Sequence, residues 1–135
     1  MSLPPPTVPV AHTLDGTLGF EASEVGPELA RGSFAAVDRV KQPYGLVHGG
    51  AFAALAESLA SRATSEAVAG EGLIAVGLSN HTSFLRPVIQ GAVHGEARRR
   101  HRGRTTWLWE VDFSDDAGRL CAVSRVTMAV RPRAV

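Results

Sequence analysis

The chain has 135 residues, 44% of them hydrophobic and 20% charged, with a formal net charge of +1. That length and composition suit one globular domain with its own core, and the near-neutral balance argues against bulk attraction to nucleic acid or an anionic membrane. Cys121 is the only cysteine, so no intrachain disulfide can form and a cytoplasmic setting is expected; no apolar run reaches the ~20 residues needed to span a bilayer.

Residues 1–10, MSLPPPTVPV, lack the basic flank and long apolar stretch of a signal peptide. They read as a flexible arm stiffened by prolines, and residues 11–135 as the single domain. Residues 11–24 predict a short helix or turn running into an extended piece, LGFEAS, and residues 28–37 predict a strand. Residues 38–47 predict a loop marked by Pro43 and Gly45. From about Gly50 to Ala69 the chain is rich in alanine and free of proline, and Gly70 and Gly72 follow; this is the one long helix.

Four strand-like runs come next, at 72–88, 91–101, 105–115 and 119–132, with short turn signals between them. In the third, Trp107, Trp109, Val111 and Phe113 alternate with Leu108, Glu110 and Asp112, the period of a strand with one buried face. These runs predict a four-stranded antiparallel meander after the helix. Together the elements predict an α+β fold in which a curved antiparallel sheet of five or six strands wraps a long central helix. Such a sheet leaves edges, which two copies of a chain commonly pair. Cys121, within RLCAVSRV, is expected as a buried small hydrophobe. His12, His94 and His101 show no metal-ligand spacing, and no metal site is expected.

The helix carries the chemistry. At 100° per residue Phe52, Leu55, Ala56, Leu59 and Ala63 form one apolar stripe, expected to face the sheet. Glu57 lies outside it, with Ser61 one turn further on and small residues around both. A solvated Glu57, or one paired with Arg62 or Lys41, is the plainer alternative. The helix opens on His48-Gly49-Gly50. The first N–H groups of a helix lack internal partners and carry partial positive charge, so an amide of Gly49 or Gly50 could polarise a carbonyl. His48 could cap the helix or orient the loop. Glu57 is eight residues from Gly49, ~12 Å along a helix. If both act on one bond, they come from different subunits.

Gly45-x-x-His48-Gly49-Gly50 with Glu57 on the following helix resembles the hot-dog-fold acyl-CoA thioesterases of the phenylacetate-pathway type. It is more similar still to the 4-hydroxybenzoyl-CoA thioesterase branch, whose acidic residue lies on the central helix. AVGLSNHTSFLRPV at 75–88 and the runs TTWLWEV, DDAGRLCAVS and AVRPR extend the resemblance from about residue 14 to 133. It implies the hot-dog fold and a homodimer with shared active sites, usually assembled as a homotetramer. It implies hydrolysis of an aromatic acyl-CoA such as 4-hydroxybenzoyl-CoA or a benzoyl or phenylacetyl relative. Coenzyme A is part of the substrate and no cofactor is implied. Glu57 is implied as nucleophile or general base, Gly49 as N–H donor to the thioester carbonyl, and Gln42 and His48 as supporting groups. Ser61 stands where the family places a water-aligning threonine.

Coenzyme A is anionic at its nucleotide end, and RRRHRGRTT at 98–106 is the densest basic stretch. Alternation would aim Arg98, Arg100, Arg102 and Arg104 roughly one way. Arg102, Arg104, Arg86 and Arg131 are the candidate phosphate ligands, with Thr105 and Thr106 as further donors. Gly50 is a further candidate substrate-binding residue through its amide. His81 is expected either to line the acyl slot or to be a satisfied core or interface histidine, and a solvated basic hairpin is the alternative for the arginines. The competing readings are a dehydratase, a broad-specificity medium-chain thioesterase and an acyl-CoA-binding domain without turnover. A dehydratase would need a histidine on the helix body, which has none.

Overall fold

A computed structural model of the chain describes residues 3–134. After a 3₁₀ turn at Val10–His12 come a short helix α1 (Leu14–Leu18), strands β1 (Glu21–Val25) and β2 (Leu29–Ala35), and a 3₁₀ turn at Asp38–Val40. The long helix α2 (Gly49–Val68) follows and ends in a 3₁₀ turn at Ala69–Glu71. Strands β3 (Leu73–Phe84), β4 (Ala92–Arg102), β5 (Thr106–Ser114) and β6 (Leu120–Pro132) complete the domain. Of the extended piece LGFEAS only Glu21–Ser23 lies in β1, since Leu18 ends α1 and Gly19 is its left-handed C-cap, and the strand expected over 28–37 is the shorter β2.

All pairings are antiparallel and the sheet has six strands in the order β1-β2-β4-β5-β6-β3. The expected four-stranded meander is therefore corrected. Of the four strands after the helix only β4, β5 and β6 lie side by side in chain order, and β3 lies beyond β6 as an edge strand. The cause is the connection. Residues 85–91, with Pro87 inside, are too long and too stiff for a tight hairpin. They cross the end of the sheet instead, where Leu85 and Arg86 N–H groups donate to Cys121 O at 2.8 and 3.1 Å.

Helix α2 lies in the hollow of this sheet. Phe52, Leu55, Ala56, Leu59 and Ala63 are buried as the stripe predicts, with Ala60 and Thr64 beside them. They meet Trp107, Trp109, Val111 and Phe113 of β5, Val126 and Met128 of β6, and Cys121, all buried. Small residues let the sheet close in: a Cβ added at Gly32 would stand 2.9 Å from Glu21 O and 3.0 Å from Leu59 Cδ2. Thr64 Oγ1 donates to Ala60 O (2.7 Å) and accepts from the Trp109 indole N–H (2.9 Å), so the polar atoms buried here are paired.

The rest of α2 is open. Ser58 Oγ donates to Asp15 Oδ1 at 2.6 Å, tying α1 to the side of α2. Asn80 Nδ2 donates to Ala53 O at 2.9 Å, tying β3 to the other side. A bulge leaves Leu78 unpaired between Gly77 and Ser79. It shifts the strand's parity, so that Gly77, Asn80, Thr82 and Phe84 face the helix while His81 faces away.

Candidate active site

The segment before α2 is held on both sides. His48 N–H donates to Val40 O and Val47 N–H to Val88 O, both at 2.8 Å. His48 is the N-cap: its backbone is extended and its Nδ1 accepts from Gly50 N–H at 2.8 Å. That bond corrects the expectation for Gly50, whose amide is taken by the cap and is not open to a ligand. Gly49 N–H, by contrast, has no acceptor among the described residues. It is one unpaired donor at the positive end of a 20-residue helix.

Gly49 is a glycine for a reason the sequence does not display. A Cβ there would lie 2.6 Å from Phe84 Cζ. The Phe84 ring stands over this residue, 57% exposed, with its centroid 6.1 Å from that of Phe52. Phe84 is therefore a residue of the candidate site that sequence reasoning missed. The only signal was its place on the same face as Asn80 and Thr82, readable once the bulge is known. Gln42 lies half-buried in the preceding loop. Its backbone pairs with Leu46 O and Gly45 N–H, and its Oε1 accepts from Tyr44 N–H, which leaves Nε2 to donate.

Glu57 projects from the open face of α2, exposed and without an ion pair among the described residues. The alternatives of pairing with Arg62 or Lys41 are not realised, since Arg62 contacts Glu66 instead, at 3.8 Å. The Glu57 carboxyl carbon lies over β3, 3.8 Å from where a Cβ at Gly77 would stand. It shares a shallow hollow of about 440 Å³ with Ser61, as the i, i+4 spacing predicts. Beside it the β3 edge exposes Val76 (48%) and Leu78 (54%).

The remaining expected residues lie apart. His81 faces the outer surface of the sheet, in a groove with Glu110 and Arg125, so its expected place in the acyl slot is corrected. Parity is the reason: the bulge puts His81 on the face opposite Asn80. Arg86 is exposed, two residues past Phe84, and Arg131 is exposed opposite Ile74. The basic run does not act as one surface. Arg98 pairs with Glu96, Arg99 with Glu28 and Arg100 with Glu110, and a bulge at Arg100 breaks the alternation.

Arg102 and Arg104 have no ion pair among the described residues. Arg102 stacks over the Trp107 ring at 4.8 Å. Both line a hollow of about 370 Å³ with Val68 and Glu71, at the C-terminal end of α2, and Thr105 and Thr106 are adjacent in the chain. Helix α2 is roughly 30 Å long, so within one chain these arginines are remote from Gly49. Among the described residues no group of three or more His, Cys, Asp or Glu could hold a metal ion, and no helix is long and apolar enough to cross a membrane.

Residues 44–122, from the loop before α2 to the start of β6, match the family described as the thioesterase superfamily. The chain belongs to that family. This thioesterase is 40% identical over 118 residues to the proofreading thioesterase EntH of Cronobacter turicensis, covering 87% of this chain and 85% of that one. It is 35% identical over 115 residues to the 1,4-dihydroxy-2-naphthoyl-CoA hydrolase of Escherichia coli, covering 85% and 84%. A mutant of thioesterase PA1618 from Pseudomonas aeruginosa superposes with a TM-score of 0.87 at 36% identity, covering 91% and 88%. Two alanine mutants of the Staphylococcus aureus protein SAV0944, one at a glutamine and one at a glutamate, give 0.84 and 0.85 at 29% and 30% identity, covering 88% and 89% of this chain and 98% and 99% of those. The fold is the hot-dog fold, and the protein is an enzyme of the thioesterase kind.

Proposed function

We propose that this thioesterase hydrolyses an aromatic acyl-CoA to the free acid and coenzyme A, at sites shared between two copies of the chain. One observation carries the reading: the Gly49 amide and the Glu57 carboxylate, both without a partner among the described residues and ~12 Å apart on one helix, cannot serve one carbonyl within one chain. A second copy brings them together. The open β3 edge beside Glu57, with exposed Val76 and Leu78, is the surface through which it would join, and such dimers would pair again as a homotetramer.

In this reading the thioester carbonyl accepts from Gly49 N–H, where the helix end stabilises the oxyanion that forms. Gln42 donates to the thioester from Nε2, and His48 fixes the glycine pair. Glu57 of the partner subunit either takes a proton from a water aligned by Ser61 or attacks the carbonyl carbon to give a mixed anhydride that water then opens. On either route the C–S bond breaks, water supplies the new oxygen, and the thiolate leaves with a proton. Arg86 binds the anionic nucleotide from the chain holding Gly49. Arg102, Arg104 and Arg131, with Thr105 and Thr106, could reach it only from another copy.

Two likenesses support this reading. The naphthoyl-CoA hydrolase relative acts on an aromatic acyl-CoA. The glutamine and glutamate replaced in the Staphylococcus aureus protein are fifteen residues apart, as are Gln42 and Glu57.

Hybrid dimers test the shared site. Gly49→Pro removes the amide hydrogen at a position where proline suits a helix, and it is made with Phe84→Ala to clear the ring. Alone, this variant and Glu57→Ala should each be inactive against benzoyl-CoA and 4-hydroxybenzoyl-CoA. Mixed with subunit exchange, they should regain activity from the one site that holds both Gly49 and Glu57. No recovery despite demonstrated exchange would reject a shared site, and binding of both esters without turnover would reject hydrolysis.

A further inference from the structure

We infer that Arg62 selects acyl groups whose far end carries a carboxylate; the inference rests on the reading of Glu57 as the residue that acts on the thioester. The hollow beside Glu57 has two unlike walls. On one side is the open face of α2, where Glu57, Ser61 and Ser65 form one row and Ser58 and Arg62 the next. On the other are Leu3 and Pro4 of the N-terminal arm. An occupant meets hydroxyls and a guanidinium on one side and apolar carbon on the other. That suits a hydrocarbon body with a charged end. It suits a plain alkyl chain poorly, because the donors of α2 would then face carbon in place of water.

Arg62 is free to take such a group. Its one ion pair among the described residues is the 3.8 Å contact with Glu66 one turn on, and the two side chains are 57% and 41% exposed. An exposed pair of that kind is weak and readily exchanged. Of the carboxylates lining the hollow, Asp15 is engaged by Ser58 Oγ, and Glu57 projects about 140° around the helix from Arg62. The guanidinium therefore keeps a planar fork of donors that matches a carboxylate with two parallel bonds.

The length is also right. Glu57 and Arg62 both line the hollow from one helix, ~7.5 Å apart along its axis and about 140° apart around it, so their relative placement does not depend on how two copies pair. A benzoyl carbonyl held at Glu57 places a para substituent about 6 Å further on by ordinary bond lengths, within reach of the long arginine side chain. The negative charge of Glu57 then lies at the opposite end of the acyl group.

The experiment compares kcat/KM for 4-carboxybenzoyl-CoA and 4-methylbenzoyl-CoA, which share a shape and differ in charge, in the wild type, Arg62→Lys and Arg62→Met. The wild type should prefer the carboxylated ester about tenfold or more, mainly through KM. Arg62→Lys should keep part of that preference, and Arg62→Met should bring the ratio to one or below. An unchanged ratio in Arg62→Met, or a wild-type preference for the methyl ester, overturns the inference and leaves the Glu57 reading standing. Failure to hydrolyse either ester overturns both.

Discussion

The two faces of α2 are made of the same helix and serve opposite ends. On the buried face every group has a partner: Leu55 and Phe52 are enclosed by the sheet, and Thr64 bridges Ala60 and Trp109. On the open face Glu57, Ser61, Arg62 and Ser65 line a hollow, next to β3, an edge strand paired on one side by β6 and on the other by no described strand. Helices bury one stripe and solvate the rest, and the rest usually carries mixed charges. Here Glu57 stands without an ion pair among the described residues, beside Ser61 and Ser65 and next to the Arg62–Glu66 pair. The comparison leads to the expectation that changes on the buried face act on stability and changes on the open face act on activity.

The largest expected effect breaks the open face alone. Glu57→Gln should lower kcat by about 10²- to 10⁴-fold, the usual contribution of a positioned acid or base, with thermal unfolding unchanged. Loss of stability alongside the loss of rate would show that Glu57 belongs to the scaffold. The converse change, Leu55→Ala, should cost about 2–5 kcal/mol in denaturant unfolding, while the folded fraction keeps its kcat/KM.

Thr64→Val sharpens the boundary. It leaves the Trp109 N–H buried without an acceptor and should cost about 1–3 kcal/mol, whereas Thr64→Ser keeps the acceptor and should cost less. Comparable losses for the two would mean that packing, and not the hydrogen bond, is what Thr64 supplies.

The smallest effect lies on the outer surface of the sheet and should touch neither face. The Glu96 carboxyl is held below the ordinary carboxylate range, above all by the hydrogen bond from Arg31, with Arg98 adding to it. A lowered folded-state value stabilises above the unfolded value and is lost as the pH falls through the folded one. Arg31→Met should therefore reduce stability slightly at neutral pH, and its curve should converge with that of the wild type in acid. Curves that stay parallel through the acid range would exclude this linkage.

Much of this was legible in the chain. The alanine-rich run without proline gave α2, and the alternation from Trp107 to Phe113 gave β5 with its buried face. The separation of Glu57 from the apolar stripe followed from 100° per residue. These are local periodicities, and the structure keeps them. Less was legible where a contact crosses the chain. The position of β3 depends on how a stiff seven-residue connection crosses the sheet, and a bulge at Leu78 decided that His81 faces away from the helix.

By itself the sequence determined the elements, their faces and the spacing between Gly49 and Glu57, because these depend only on helix and strand geometry. Only the tertiary structure decided that Gly50 gives its amide to His48, that Phe84 covers Gly49, and that three of the clustered arginines are already paired. Each of those depends on which distant groups come to lie side by side. Periodicity sets the direction of a side chain along its own element, and packing alone sets what that side chain meets.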